Sequence, residues 1–181
     1  LRTITGTLTP GVSAMEARGD WDGVRRLFLS GTRWMLYFAL PVNLGLWFFG
    51  RSFLSRWVGP VIADAGFPAT AILAATLTVG IAQSVAARVL YGLGRLRLFA
   101  RLALCEAALN LFLMFSLTVP FGVEGVAVAV AIPNLIFCTA VIAYTARMLG
   151  VTAGEYAIAW AKPLAAGALA VGVWASVTPV S

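Results

Sequence analysis

A run of 45 residues, from Leu102 to Ala146, contains no lysine or arginine, and its only charged residues are Glu106 and Glu124. Water-soluble domains spread their charges along the chain, whereas the hydrocarbon core of a bilayer excludes charged side chains over whole spans. The composition agrees, because 61% of the residues are hydrophobic and 11% are charged, against about 25% charged in an ordinary soluble domain. The run therefore indicates a chain that folds in a membrane.

Five stretches without charge are each close to the length of about 20 residues that a helix needs to cross the hydrocarbon core. With short caps from their flanks, we expect membrane spans near residues 34–54, 66–91, 99–119, 123–146 and 158–178. The predicted fold class is an all-α, polytopic transmembrane helix bundle. We divide the chain into a segment 1–33 and a transmembrane bundle 34–181.

One local pattern favours a strand, because apolar residues alternate with small ones after Val123. The apolar run is too long for a strand, however, and an open sheet in lipid would leave backbone groups unpaired. We therefore predict a helix here. Its small residues predict close packing against a neighbouring helix. They are Gly125, Ala127, Ala129 and Ala131.

Segment 1–33 is predicted to contain the end of a preceding membrane helix and a cytoplasmic amphipathic helix. Ser13 and Glu16 match a capping box, and Asp20 is suited to cap a second helix. The chain starts with Leu1, and no signal-peptide pattern is present. We therefore expect that it begins in the middle of a longer membrane protein.

The basic residues are concentrated in alternate connectors between the predicted spans. By the positive-inside rule, the richer connectors belong in the cytoplasm, and the first span then runs outward. The same distribution argues against nucleic acid as a partner, since the arginines mark the ends of apolar runs and form no stripe with interleaved aromatic residues. The richer connectors hold Arg18, Arg25, Arg26, Arg33, Arg95, Arg97, Arg101, Arg147 and Lys162.

Two predicted spans contain a helix-breaking proline next to a polar residue, Pro41 with Asn43 and Pro133 with Asn134. Proline removes a helical hydrogen bond and clashes with the preceding turn, so each is predicted to kink its helix. In transporters such positions line cavities or act as flexing points. A static kink that neighbouring helices satisfy is an equally weighted alternative.

A polar line follows one face of the second predicted span, with Thr76, Gly80, Ser84 and Arg88 at intervals of four residues and Gln83 alongside. This line favours a face turned toward protein or water, and a guanidinium there could bind phosphate through two hydrogen bonds. In the alternative reading, Arg88 extends to the nearby cytoplasmic interface.

Glu106 and Asn110 form another pair four residues apart, in a span that otherwise lacks charge. A carboxylate in that position is a candidate proton or cation site. A structural ion pair with a nearby arginine is the open alternative.

No arrangement of catalytic residues is present in the sequence. The chain has no histidine, no nucleophile beside a base and no metal-ligand spacing. Cys105 and Cys138 both lie in apolar stretches, and we interpret them as small buried residues. We therefore predict a protein that is not an enzyme and that binds no metal or other cofactor.

Several short motifs follow one another along nearly the whole chain. They are Leu8-Thr-Pro-Gly-Val-Ser13, Ala17-Arg-Gly-Asp20, Leu40-Pro41, Arg56-Trp-Val-Gly59, Tyr91-Gly-Leu-Gly-Arg95, Glu106-Ala-Ala-Leu-Asn110-Leu and Phe121-Gly-Val-Glu-Gly125-Val-Ala. Their order and spacing resemble the second half of polysaccharide flippases. These flippases belong to the multidrug/oligosaccharidyl-lipid/polysaccharide exporter superfamily.

The resemblance implies half of a transporter with two six-helix bundles around a central cavity. Rocking of the bundles would move a polyprenyl-diphosphate-linked oligosaccharide to the outer leaflet, for lipopolysaccharide or exopolysaccharide biosynthesis. The implied location is the inner (cytoplasmic) membrane of a bacterium, and the implied partners are membrane lipid, the lipid-linked oligosaccharide and an absent N-terminal bundle. Arg88 is the first candidate for the diphosphate. The other cavity candidates are Ser84, Gln83, Asn43 and Asn110.

Three alternatives remain open at this point. A drug or cation exporter, or a lipid II flippase, would belong to the same superfamily and differ in cavity charge. A membrane-embedded glycosyl- or acyltransferase would need an acidic or histidine motif, which this sequence lacks. A membrane scaffold without transport activity is the third.

Overall fold

The computed structural model describes residues 8–177, and within that range the chain forms five helices and no strand. The helices are α1 (Leu8–Ala17), α2 (Trp21–Val58), α3 (Pro60–Gly92), α4 (Leu96–Met148) and α5 (Ala153–Val177). Three of them, α3, α4 and α5, are long and apolar enough to cross a membrane. The predicted all-α fold is therefore confirmed for residues 8–177, and the three apolar helices are compatible with a membrane protein. The five membrane spans and the membership of a two-bundle transporter stay predictions.

Helix α2 joins the predicted amphipathic segment to the predicted span 34–54 without a break. Asp20 caps it as predicted, because its carboxylate accepts a hydrogen bond of 2.8 Å from the Gly23 N–H. With 38 residues α2 is long enough to cross a membrane, but its arginines and Asn43 lower its mean hydropathy below that of the three apolar helices. Membrane crossing by α2 stays a prediction.

Helix α4 consists of two helical segments, because the backbone dihedral angles of Gly122 are not helical. This residue has φ 55° and ψ −132°, a combination that favours glycine because it has no Cβ. The break falls between the predicted spans 99–119 and 123–146. Each half is about 39 Å long at 1.5 Å per residue, enough to cross a hydrocarbon core of about 30 Å.

The two halves of α4 fold back on each other like a hairpin. The rings of Phe99 and Phe137 meet with their centroids 5.4 Å apart. Gly125 makes the closest approach at the bend, where an added Cβ would collide with the carbonyl of Leu117 and lie 2.9 Å from the Cβ of Phe121. The residues after the break are helical as predicted, and the four small ones are buried.

The capping box predicted at Ser13 is wrong. Ser13 lies inside α1, and its hydroxyl donates to the carbonyl of Gly92 at 2.8 Å, so it ties α1 to the last turn of α3. The contact is close, because a Cβ on Gly92 would lie 2.6 Å from the Cβ of Val12. The Ser13 hydroxyl, which the local pattern predicted to cap a helix, therefore forms a contact between two helices instead. Residues 1–7 of the predicted preceding helix lie outside the described residues.

Helix α3 packs against α2 and against both halves of α4, and α5 packs against α2. Their core is aliphatic, and α5 joins it through Tyr156, whose ring stacks on Phe28 of α2 at 5.6 Å. The start of α5 is also fixed by an ion pair of 2.5 Å between Arg25 and Glu155. The main buried residues are Val24, Phe28, Leu36, Leu40, Val85, Val89, Leu90, Phe137, Cys138, Val141 and Ile142. Cys138 is thus buried as predicted, whereas the predicted burial of Cys105 is wrong, since Cys105 is exposed.

We predict that Gly125→Ala will destabilise the α4 hairpin by about 1–3 kcal/mol, the usual cost of overpacking, because the new methyl group meets backbone that cannot rotate away. Gly66→Ala is the matched control, since no atom lies within 4 Å of its added Cβ. It should leave stability unchanged or raise it by up to about 1 kcal/mol through helix propensity. Thermal unfolding in nanodiscs measures both, and equal stability of the two variants would contradict the packing argument.

Candidate functional site

A polar contact joins α2 to α3 in the middle of their predicted spans. The side-chain amide of Asn43 donates to the hydroxyl oxygen of Thr78 at 2.9 Å, and Asn43 is only 8% exposed. Thr78 donates in turn to the carbonyl of Ala74 at 3.3 Å. Asn43 lies two residues beyond Pro41, where the helix lacks a backbone hydrogen bond. The contact therefore lies where the helix backbone is weakest.

A second polar contact joins the two halves of α4. The side-chain amide of Asn134 donates to a carboxylate oxygen of Glu106 at 3.2 Å, and the thiol of Cys138 donates weakly to the amide oxygen of Asn134 at 3.6 Å. No arginine in residues 8–177 forms an ion pair with Glu106. The hypothesis of a structural ion pair at Glu106 is therefore wrong for this conformation, since an amide takes the place of the arginine.

Helix α3 lies between these two contacts. Thr78 faces α2, and an added Cβ on Gly80 would lie 3.9 Å from the amide oxygen of Asn134 on α4. Positions two residues apart lie on nearly opposite sides of a helix, since each residue turns it by about 100°. The two contacts thus lie on either side of α3 at nearly the same level. We call the four residues Asn43, Thr78, Glu106 and Asn134 the polar layer.

The polar layer lies halfway along the helices that carry it. Glu106 follows the start of α4 by about 15 Å along the axis, and Asn134 follows Gly122 by about 18 Å. Both residues lie within their predicted spans, 99–119 and 123–146. The layer is therefore predicted to lie inside the hydrocarbon core, where polar groups are costly.

The predicted polar line on α3 lies at a helix contact in this conformation. Thr76 and Ser84 satisfy their hydroxyls within α3, by donating to carbonyls one turn earlier. Gly80 faces Asn134 across the contact with α4. Gln83 is buried, and its amide has no hydrogen-bond partner among residues 8–177. Among the uncharged members of the line, Gln83 is therefore the one whose polar group is left open to a partner.

Arg88 lies apart from the polar layer, since ten residues of α3 separate it from Thr78, or about 15 Å. It is half-buried, and its guanidinium carbon lies 5.9 Å from the centre of the Tyr91 ring. No acidic residue of the described chain pairs with it. Its charge is thus available to a ligand.

The sequence did not reveal several residues of these contacts. Asn110 is half-buried, but the partner of Glu106 is Asn134 on the other half of α4, not Asn110. Thr78 was missed because a threonine in an apolar helix usually bonds to its own backbone. The sequence offered one indication of the contact between Asn43 and Thr78, namely that both residues are central in their predicted spans. Pro133 is fully buried beside Asn134, whereas Pro41 is exposed.

Other parts of the described chain offer less chemistry. Residues 8–177 contain no group of three histidine, cysteine or acidic residues that could hold a metal ion. A shallow depression of about 630 Å³ follows α5, but all its lining residues belong to that one helix. They are Ala165, Ala168, Leu169, Gly172, Val173 and Ser176.

Comparisons with protein-family models, curated proteins and solved structures give no match to this chain. The similarity to polysaccharide flippases therefore stays a prediction, which depends on the short motifs alone. The polar layer is a separate observation, because it follows from contacts between side chains and from no motif.

We predict a measurable coupling energy between Asn43 and Thr78. In a double-mutant cycle with Asn43→Ala and Thr78→Val, the coupling should be about 0.6 kcal/mol, the average for hydrogen bonds between membrane helices, and at most about 1.7 kcal/mol. Unfolding of the four proteins in nanodiscs measures it. Thr76→Val serves as the control partner, because Thr76 bonds only to its own helix. Strict additivity of Asn43→Ala and Thr78→Val would show that the contact carries no energy.

Proposed function

We propose that this chain is part of a membrane transporter and not an enzyme, and that the transporter flips a polyprenyl-diphosphate-linked oligosaccharide from the cytoplasmic to the outer leaflet. The observation that carries the proposal is the polar layer within the predicted spans of apolar helices. Polar and ionisable side chains inside membrane spans are rare and mark substrate or ion pathways. Transporters place such sites near the midplane, beside interrupted helices.

Interruptions in the helices that carry the polar layer support alternating access. Pro41 precedes Asn43, Pro133 precedes Asn134, and Gly122 separates the two halves of α4. Each site lacks part of the regular helical hydrogen bonding, so a helix can bend there at low energetic cost. Hydrogen bonds between membrane helices are also weak, about 0.6 kcal/mol on average. The contacts of the layer can therefore exchange partners when the bundle rocks.

Arg88 supports an anionic lipid-linked substrate. A guanidinium group donates two parallel hydrogen bonds to phosphate, and the face of the Tyr91 ring stabilises its positive charge. Arg88 lies one turn from the end of α3 that is predicted to be cytoplasmic. A diphosphate entering from that side would meet Arg88 before the sugar reached the polar layer. The motif resemblance favours a saccharide as the attached group.

A drug or cation exporter of the same superfamily is the second candidate, and Glu106 is the observation that favours it. Its carboxylate has an amide partner and no cationic partner among residues 8–177. Such a group suits a cation better than a diphosphate. A lipid II flippase would differ from our proposal only in the substrate.

Complementation of a bacterial strain that lacks its polysaccharide flippase tests the proposal. The full-length protein should restore surface glycan, and failure to do so would reject the substrate assignment. We expect Arg88→Ala to lower export about 10- to 100-fold, the loss of a hydrogen bond to a charged group of about 1.5–3 kcal/mol. Arg56→Ala is the control, because Arg56 is an exposed arginine near the C-terminus of α2. It therefore lies at the end of the bundle opposite to Arg88. Normal export by Arg88→Ala would remove this residue from the mechanism.

A second variant tests Glu106. Glu106→Gln keeps an oxygen that accepts from Asn134 but removes the negative charge. We expect unchanged expression and melting temperature with at least about tenfold lower export, because an ion pathway needs the carboxylate. Asn134→Leu removes the same contact and keeps the charge. Normal export by Glu106→Gln, together with lower export by Asn134→Leu, would assign Glu106 a structural role.

A further inference from the structure

The turn between α3 and α4 carries three arginines without an acidic partner. Arg95 is the residue before the first turn of α4, and Arg97 and Arg101 lie one helical turn apart after it. All three are exposed. The sequence has no acidic residue between Asp64 and Glu106. We call Arg95, Arg97 and Arg101 the turn patch.

In the other basic segment at this end of the bundle, two of the four arginines have acidic partners within the described chain, whereas none of the three in the turn patch has one. Arg25 pairs with Glu155 at 2.5 Å, and Arg26 approaches Asp20 at 4.0 Å. The two segments lie at the same end, because Ser13 of α1 bonds to the last turn of α3 and α1 leads directly into α2. The positive-inside rule explains arginines in both places but not this difference. The charge of the turn patch is left for something outside the described chain.

The start of α4 is an unfavourable place for these arginines. The free N–H groups at a helix N-terminus carry partial positive charge, which disfavours nearby cations. The first turn of α4 has no acidic residue, and no side chain caps it. An anion held by the turn patch would relieve the repulsion among the arginines and between them and the helix. The arrangement therefore suits a protein that binds a negative group here.

Aromatic and aliphatic neighbours place the turn patch at the membrane surface. The ring of Phe99, between Arg97 and Arg101 in sequence, contacts the ring of Tyr91 at 5.2 Å. Tyrosine is enriched at the level of lipid headgroups, where its ring is buried and its hydroxyl is wet. Leu96 next to the patch is 49% exposed, and an acyl chain can cover it. A lipid phosphate lies at this same level.

We propose that the turn patch binds the phosphate of an anionic phospholipid in the leaflet at this end of the bundle. Guanidinium groups bind phosphate through paired hydrogen bonds, and basic clusters beside membrane helices attract anionic lipids. The exposed leucine favours a lipid over a free phosphate. This inference requires only that the protein lies in a membrane and is independent of the proposed transport function.

Native mass spectrometry of the purified protein tests the inference. The protein in neutral detergent is titrated with phosphatidylglycerol, with phosphatidylcholine and with inorganic phosphate, and bound molecules are counted. We expect phosphatidylglycerol to bind in preference to the other two. The triple variant Arg95→Gln/Arg97→Gln/Arg101→Gln should lower its affinity about 100-fold, from about 1 kcal/mol for each arginine.

The matched control is the triple variant Arg18→Gln/Arg26→Gln/Arg56→Gln. It removes the same charge from three exposed arginines outside the turn patch, and it should keep the affinity of the unmodified protein. Equal losses in the two variants would overturn the site, since net charge would then explain the binding. Equal affinity for inorganic phosphate, or tighter binding of a polyprenyl diphosphate through the same arginines, would overturn the phospholipid assignment.

Two further measurements keep the inference testable if a variant is poorly behaved. In nanodiscs of phosphatidylcholine alone, the turn-patch variant should melt no earlier than the unmodified protein, because removing cations from a helix N-terminus relieves repulsion. With the unmodified protein, phosphatidylglycerol binding should weaken as salt rises, since exposed charges are screened. A salt-independent affinity would overturn the proposal.

Discussion

The pairing of backbone N–H and C=O groups inside long helices is the constraint on which the rest of this structure depends. In lipid no water is available to an unpaired backbone group, so a helix that crosses a membrane must satisfy its own backbone. Departures from that rule are then informative. In residues 8–177 they occur at Gly122 and at prolines inside the helices, and of these Pro41 and Pro133 lie within two residues of a side chain in the polar layer. The other prolines inside helices are Pro68, Pro120 and Pro163.

The small residues of α3 make the rest of the arrangement possible. Gly80 lets α4 approach from one side, while Thr78 meets Asn43 on the other. An added Cβ at position 80 would already be in van der Waals contact with the amide oxygen of Asn134, so a side chain longer than that of alanine would need the space that Asn134 occupies. Because Gly80 has no side chain, α4 can approach α3 closely at the level where Thr78 meets Asn43. Polar atoms on four helical segments therefore lie at nearly the same level. The apolar core above and below this level is ordinary aliphatic packing.

Local sequence predicts those features of the fold that local physics decides. The cap at Asp20 and the left-handed Gly122 both follow from residue type and immediate neighbours, and both occur where the pattern indicated a boundary. Ser13 shows the limit, because its local motif is equally good and the structure uses its hydroxyl for a contact 79 residues away. The sequence cannot show which distant carbonyl will be in reach.

In the candidate site, too, the sequence predicts single residues but not their distant partners. Glu106 and Asn43 stand out as polar residues in apolar spans, and both lie in the polar layer. Their partners, Asn134 and Thr78, depend on how the helices are rotated and on the level at which they meet, and the intervals of four residues along one helix carry no such information. The sequence therefore indicated Glu106 as a candidate residue but did not show that its hydrogen-bond partner is Asn134 and not Asn110.

The ion pair between Arg25 and Glu155 has a consequence for the synthesis of the protein. The two residues are 130 positions apart, and Phe28 stacks on Tyr156 in the same region. At about 5–20 residues per second, the ribosome needs on the order of 10 s to make the chain between them. During that time the side of α2 that receives α5 is complete but uncovered. Helix α5 thus covers a surface of α2 that is exposed during that interval of synthesis.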